Sequence, residues 1–190
     1  MVHSPAPWSK KTQQNEGSSV KNGHTIANVN SFPCKIRQQT KIWCIPAVVE
    51  AVMKYLDPNE IVDQKLLVEE YVKTEEFKTI SYESLRDSVL IPKFGSEFCF
   101  FIEVRSEFEE WKSAVQKYVR LDLPPLVSIR AGNDFHMNAI LGFTKSLFMT
   151  YDPAAGCKPV PIEKFKGNHQ PDILIIKRLS RNSSKETANL

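Results

Sequence analysis

Apolar residues change their spacing near the middle of the chain, and that change divides the predicted elements. Over 46–56 the positions Ala47, Val48, Ala51, Val52 and Tyr55 recur at helical intervals. The helix they predict stops at Asp57-Pro58, because proline disfavours a helical residue before it. A second helix is predicted over 59–73, with Ile61, Leu66, Leu67 and Val72 among its apolar positions. A third is predicted over 82–90, capped by Ser81 and with Glu83 in its first turn. Beyond it the pattern becomes strand-like: 97–104, 126–130, 135–143, 147–151 and 173–178 read as strands. One helix interrupts them over 108–121, with Trp111, Val115, Tyr118 and Val119 on one side. Ala131-Gly132-Asn133-Asp134 and Ala154-Ala155-Gly156 supply turns. The fold class is therefore α+β, a helical first half followed by an antiparallel sheet.

The ends lack such periodicity. Residues 1–30, rich in Ser, Asn, Gln, Thr and Lys, read as a flexible leader, 31–180 as the one folded domain and 181–190 as a flexible tail. A chain of 190 residues can bury a full core in a single domain. No apolar run approaches the ~18 residues of a membrane span, and the first residues contain no apolar stretch of a secretory signal. The expected location is the cytoplasm, or outside it by a route without a cleaved signal; the leader's composition also suits the export signal of an injected bacterial effector. The net charge of +3 sits at the ends: residues 1–30 sum to +2 and residues 176–190 to +3, leaving −2 for the body. A slightly acidic body argues against a nucleic-acid partner. A monomer is assumed.

The candidate chemistry lies where the first helix begins, in Gln38-Gln39-Thr40-Lys41-Ile42-Trp43-Cys44-Ile45-Pro46. Pro46 suits a first helical turn, where its missing N–H would have no partner, so Cys44 falls at the helix start. There the free backbone N–H groups and the positive end of the helix dipole favour a thiolate, the nucleophilic form of cysteine. Gln38 stands six residues upstream with a side-chain amide that could donate to an oxyanion, and Gln39 beside it competes for that role.

Gln-x5-Cys at a helix start resembles the papain-like cysteine peptidases. The resemblance extends to Phe135-His136-Met137-Asn138-Ala139-Ile140-Leu141-Gly142-Phe143, similar to the strand that carries the family's histidine and ends in a Gly-aromatic pair. It extends also to Tyr151-Asp152-Pro153-Ala154-Ala155-Gly156, similar to the Asp-Pro-x-x-Gly segment of the branch that includes the bacterial double-glycine leader peptidases. The order Gln, Cys, His, Asp is the family's, and the resemblance spans residues 32–179. It implies a two-lobed papain-like fold with the site in the cleft between the lobes. It also implies the roles of Cys44 as nucleophile, His136 as its acid–base partner, Asp152 as the group that orients the ring, and Gln38 as oxyanion donor. The substrate it implies is a peptide or protein, cleaved at a peptide or isopeptide bond, and the chemistry calls for no metal or cofactor.

Three positions depart from the family pattern. Ile45 stands where glycine is usual after the thiol, and Phe135 and Met137 flank the histidine where small residues are usual. Two other readings of the same residues stay open: an acyltransferase or transglutaminase-like enzyme with the same triad, and a catalytically silent papain-like module that binds extended peptides or a partner protein. His169 is a competing histidine in a loop-like setting, and His3 and His24 fall in the leader. Cys34, Cys44, Cys99 and Cys157 show no zinc spacing. Cys99 and Cys157 are expected as small buried or half-buried apolar residues. Without a secretory signal no disulfide framework is expected, although spacing leaves a Cys34–Cys157 bridge open.

His136 and Asp152 are 16 residues apart. An even separation puts them on one face of a hairpin whose loop is odd, and a three-residue loop of Phe143, Thr144 and Lys145 would set them directly opposite each other. The expectation is an odd loop or a compensating bulge.

Overall fold

The structure is a computed structural model that describes residues 23–40, 43–72, 81–132 and 134–179. The first 22 residues and the tail beyond 179 lie outside the described residues, and so does most of what was read as flexible. Helices α1 (Cys44–Leu56), α2 (Gln64–Val72), α3 (Tyr82–Leu85) and α4 (Ile91–Phe94) make the first half, and α5 (Phe108–Arg120) lies among the strands of the second. The strands are β1 (His24–Thr25), β2 (Phe98–Val104), β3 (Leu126–Ala131), β4 (Asp134–Phe143), β5 (Leu147–Asp152), β6 (Gly156–Pro161) and β7 (His169–Arg178). All pairings are antiparallel, in the order β2-β7-β3-β4-β5-β6, with β1 added to β4.

Local chemistry accounts for most boundaries. Helix α1 begins at Cys44, two residues before the proline, and its eight consecutive residues from Pro46 to Met53 are buried. A helix buried all round is a core helix, and α1 packs on β4 and β7. Helix α2 starts later than expected because Asp63 caps it, its carboxylate accepting the Leu66 N–H at 2.8 Å. Ser81 caps α3 as expected, accepting from the Ser84 N–H at 3.1 Å. The helix then continues past residue 90 through a wide π-type turn, Arg86–Leu90, in which the Ile91 N–H reaches the Arg86 carbonyl. That widened turn leads into α4, which carries Pro92 in its first turn, where a missing N–H costs nothing. The sheet is covered on both faces. Phe101, on one face of β2, lies against the tilted ring of Tyr118 of α5, while the alternate residues Phe98 and Phe100 are buried on the other.

Two strands lie outside the predicted set. β6 carries Pro159 and Pro161, which argue against a strand unless it is at an edge, and β6 is the edge beyond β5. β1 falls within the stretch read as a flexible leader, and that reading is corrected for residues 24–30. His24 and Thr25 pair with Phe143 and Gly142, and Ile26 is wholly buried, its N–H donating to the Leu141 carbonyl at 2.9 Å. The Ala27 N–H is held by Asp122 at 2.7 Å and the Asn28 N–H by the Tyr55 hydroxyl at 3.3 Å. Gly142 permits this approach, since a Cβ there would lie 2.8 Å from the Thr25 side chain and 2.9 Å from the His24 carbonyl.

The β4–β5 hairpin reaches the expected parity by the second of the two routes. Its turn holds four residues between Phe143 and Phe148, an even loop, and the register shifts by one between Ile140 and Gly142. Leu141 is the extra residue, and the bulge restores the parity that puts His136 and Asp152 on one face. Direct opposition is corrected: the ladder ends with Ala139 across from Tyr151, so Asp152 falls one diagonal step from His136.

Because Ile26 fills the core and satisfies the bulge carbonyl, Ile26→Ala should lower unfolding free energy by about 2–5 kcal/mol, the range for emptying a buried aliphatic site. A urea midpoint indistinguishable from that of the unaltered chain would show that the segment is not packed.

Candidate active site

Cys44 opens α1, and beyond the last β4–β5 rung the backbone of β4 turns one of its groups to the sulfur: the Met137 N–H is given to the thiol, as is the Ile45 N–H at the helix start. The His136 side chain completes the set. Burial works against the charged form of Cys44, but these hydrogen bonds and the imidazolium charge outweigh it and hold the thiol below its ordinary value.

His136 joins the two halves of the site. Its Nε2 lies 2.9 Å from Asp152 Oδ1, so Nδ1 is the atom left to face Cys44. The hydrogen bond to Asp152, then that to Cys44, raises the imidazole to about 9, against partial burial. Asp152 in turn is held by donors on both oxygens. Oδ1 accepts from His136, from the Ala154 N–H at 2.9 Å and from the Ala155 N–H at 3.3 Å, while Oδ2 accepts from Lys158 at 2.7 Å. Burial opposes its ionisation, yet the donations from His136, Lys158 and Ala154 keep the carboxyl well below the usual carboxylate range. A carboxylate of this kind fixes the ring's orientation and which nitrogen faces the thiol.

The structure also separates Gln38 from Gln39. Gln39 is exposed, whereas Gln38 is half-buried and its Oε1 is buried with no hydrogen-bond partner among the described residues. The Gln38 N–H donates to the Pro153 carbonyl at 3.1 Å, directly after Asp152. Segment 34–38 is thus laid against the hairpin that carries Asp152. The Tyr151 hydroxyl donates to the Ile36 carbonyl at 2.8 Å, and Cys34 is disulfide-bonded to Cys157 of β6 with their Cα atoms 5.6 Å apart. Gly156, at φ +88°, leaves room for the Arg37 guanidinium where a Cβ would collide with it.

The disulfide corrects the expectation of no disulfide framework and is the Cys34–Cys157 pairing that had stayed open. The bonds of Ile36 to Tyr151 and of Gln38 to Pro153 lay the two segments side by side across a sequence separation of 123. Cys99 is also corrected: it is exposed on β2, on the face opposite to its buried neighbours Phe98 and Phe100. His169 is not in a loop and not at the site. It begins β7 and lies against Trp111, ring centroids 5.0 Å apart. Phe135 is exposed beside Arg130, whose guanidinium lies 5.3 Å from the ring, so the bulk before His136 points outward. Among the described residues no group of three or more His, Cys, Asp or Glu side chains is placed to hold a metal ion. No described helix is long and apolar enough to cross a membrane.

No family model matches the chain, and no curated protein matches its sequence. Solved structures do match in shape. The peptidase domain of Streptococcus ComA, a bifunctional ABC transporter of a quorum-sensing pathway, is 16% identical with a TM-score of 0.60, covering 76% of this chain and 97% of that one. A double-glycine motif protease from an AMS/PCAT transporter, solved with its leader peptide, is 18% identical with a TM-score of 0.56, covering 76% of this chain and 90% of that one. A C39-like peptidase from Bacillus anthracis is 16% identical with a TM-score of 0.60, covering 84% and 99%. The fold is the papain-like one of C39 cysteine peptidase domains.

Two outcomes follow. With the thiol lowered and the imidazole raised to about 9, thiolate and imidazolium coexist between the two titrations. Iodoacetamide should therefore label Cys44 faster at pH 6 than it labels a free thiol, and His136→Ala should abolish the advantage. Equal rates for Cys44 and free cysteine at pH 6 would remove the activated thiolate. Replacing both Cys34 and Cys157 by Ser should cost about 2–5 kcal/mol of stability, the range for a native disulfide closing a long loop, read from denaturant unfolding.

Proposed function

We propose that this chain is a cysteine peptidase that cleaves its substrate through an acyl-enzyme on Cys44. The observation that carries the proposal is the line of three groups: a thiol at a helix start, an imidazole bonded to it, and a carboxylate 2.9 Å from the far ring nitrogen. The C39 neighbours support the class of reaction, and the leader peptide bound to one of them supports an extended peptide as substrate.

In this reading the Cys44 thiolate attacks the carbonyl carbon, and its electron pair becomes the C–S bond as the carbonyl π pair moves to oxygen. The oxyanion accepts from the Cys44 N–H and from the Gln38 amide. Collapse expels the amine, which takes the proton from His136 Nδ1 and leaves a thioester. Water then gives a proton to the neutral imidazole as it attacks the thioester, and the thiolate departs with the acid product. Asp152 keeps Nε2–H engaged throughout and transfers no proton.

Cys44→Ala and His136→Ala should each reduce kcat/KM by more than ~10³, Gln38→Ala by ~10²–10³ as for an oxyanion donor, and Asp152→Ala by less than the first two. The rate should fall above a pH of about 9, where His136 loses the proton it must give to the amine. Comparing new peptide termini in a proteome treated with the unaltered chain or with Cys44→Ala tests the class. Identical termini in both samples would rule out a peptidase.

A further inference from the structure

Gln64 is 2% exposed, a polar side chain with almost no solvent, and its amide is fully engaged. Oε1 accepts the Gln39 N–H at 2.9 Å, and Nε2 donates to the Arg37 carbonyl at 2.9 Å and to Glu50 Oε2 at 3.1 Å. Only this orientation of the amide works, since the reverse would oppose N–H to N–H and oxygen to two acceptors. The partners on segment 37–39 are the carbonyl before Gln38 and the N–H after it. A third backbone group in this segment bonds elsewhere. That other group is the Gln38 N–H, taken by Pro153 at 3.1 Å. Gln38 is thus held by backbone hydrogen bonds on either side of it and at its own N–H.

The grip also reaches the nucleophile helix. Glu50 lies on α1 and is 7% exposed; its Oε1 pairs with Lys54 at 2.7 Å, while its other oxygen takes the Gln64 amide. The chain of bonds from α1 through Glu50 and Gln64 to residues 37 and 39 bridges the gap between Gln38 and Cys44 without using the backbone between them. From this we infer that Gln64 is a positioning residue for the oxyanion site: by holding the backbone on either side of Gln38, it sets that amide relative to the Cys44 sulfur. The inference rests on the proposed acyl-enzyme reading.

Two reagents separate this role from a merely structural one. Acylation of Cys44 by p-nitrophenyl acetate passes through a tetrahedral oxyanion, and alkylation by iodoacetamide does not. Neither needs the natural peptide. In a Cys99→Ser background, which leaves Cys44 as the described free thiol, Gln64→Leu should slow the p-nitrophenolate burst about tenfold or more and leave the alkylation rate and its pH profile within about twofold. In a Gln38→Ala background the same substitution should cost nothing further in the burst. Gln64→Asn, one methylene short of spanning the two groups, should show the same effect in smaller degree, and it serves if the leucine variant does not fold. Equal slowing of burst and alkylation, an undiminished cost without Gln38, or a normal burst in Gln64→Asn would overturn the inference. A normal burst in the unaltered chain with no cleavage of any peptide would overturn the peptidase reading and leave the role of Gln64 standing.

Discussion

Everything at the site turns on how one carboxylate is held. Asp152 can orient an imidazole only while its own oxygens are fixed, and they are fixed by donors from three places: a neighbouring strand, the turn that follows, and a lysine on β6. That turn also offers the Pro153 carbonyl to Gln38. One short hairpin end therefore fixes the ring on one side and the Gln38 segment on the other. Helix α1, which carries Cys44, arrives independently, from a core position in which eight successive residues are buried. The geometry is a meeting of two rigid pieces, with the disulfide and the Tyr151 hydroxyl holding a third against them.

Much of this was legible from the residues. Helical spacing after Pro46, strand-like runs around His136 and Asp152, and the Ser81 cap all mark elements that exist, with ends displaced by four or five residues where a cap such as Asp63 or a widened turn before Pro92 intervenes. Side-chain alternation is a local property, so parity was available for His136 and Asp152. The rung on which they sit was not, because it depends on a bulge at Leu141 whose carbonyl is satisfied by Ile26, far away in the chain.

What escaped the sequence shares a cause. β1 has two residues and β6 carries two prolines; each exists because a neighbouring edge is there to accept it. The Cys34–Cys157 bond and the Gln64 grip likewise join segments with no common pattern. A glutamine at the start of an ordinary amphipathic helix looks like surface. Only its burial against Glu50 and the 37–39 backbone shows otherwise.

The long reach of these contacts bears on how the chain acquires its chemistry during synthesis. The tyrosine that holds Ile36 lies 115 residues downstream, and the cysteine that ties Cys34 lies 123 downstream. Closing such loops carries an entropic cost that precedes the contacts it permits, so topology places assembly of this site late in folding. A ribosome that has exposed α1 through α5 has already released the thiol, but the imidazole and the carboxylate are still to come. Until β4 and β5 emerge and pair, Cys44 lacks the His136 side chain and the Met137 N–H that lower its thiol. Cys44 is thus translated well before the ring that bonds to it and the carboxylate that holds that ring, and the set is complete only once the hairpin of β4 and β5 has formed.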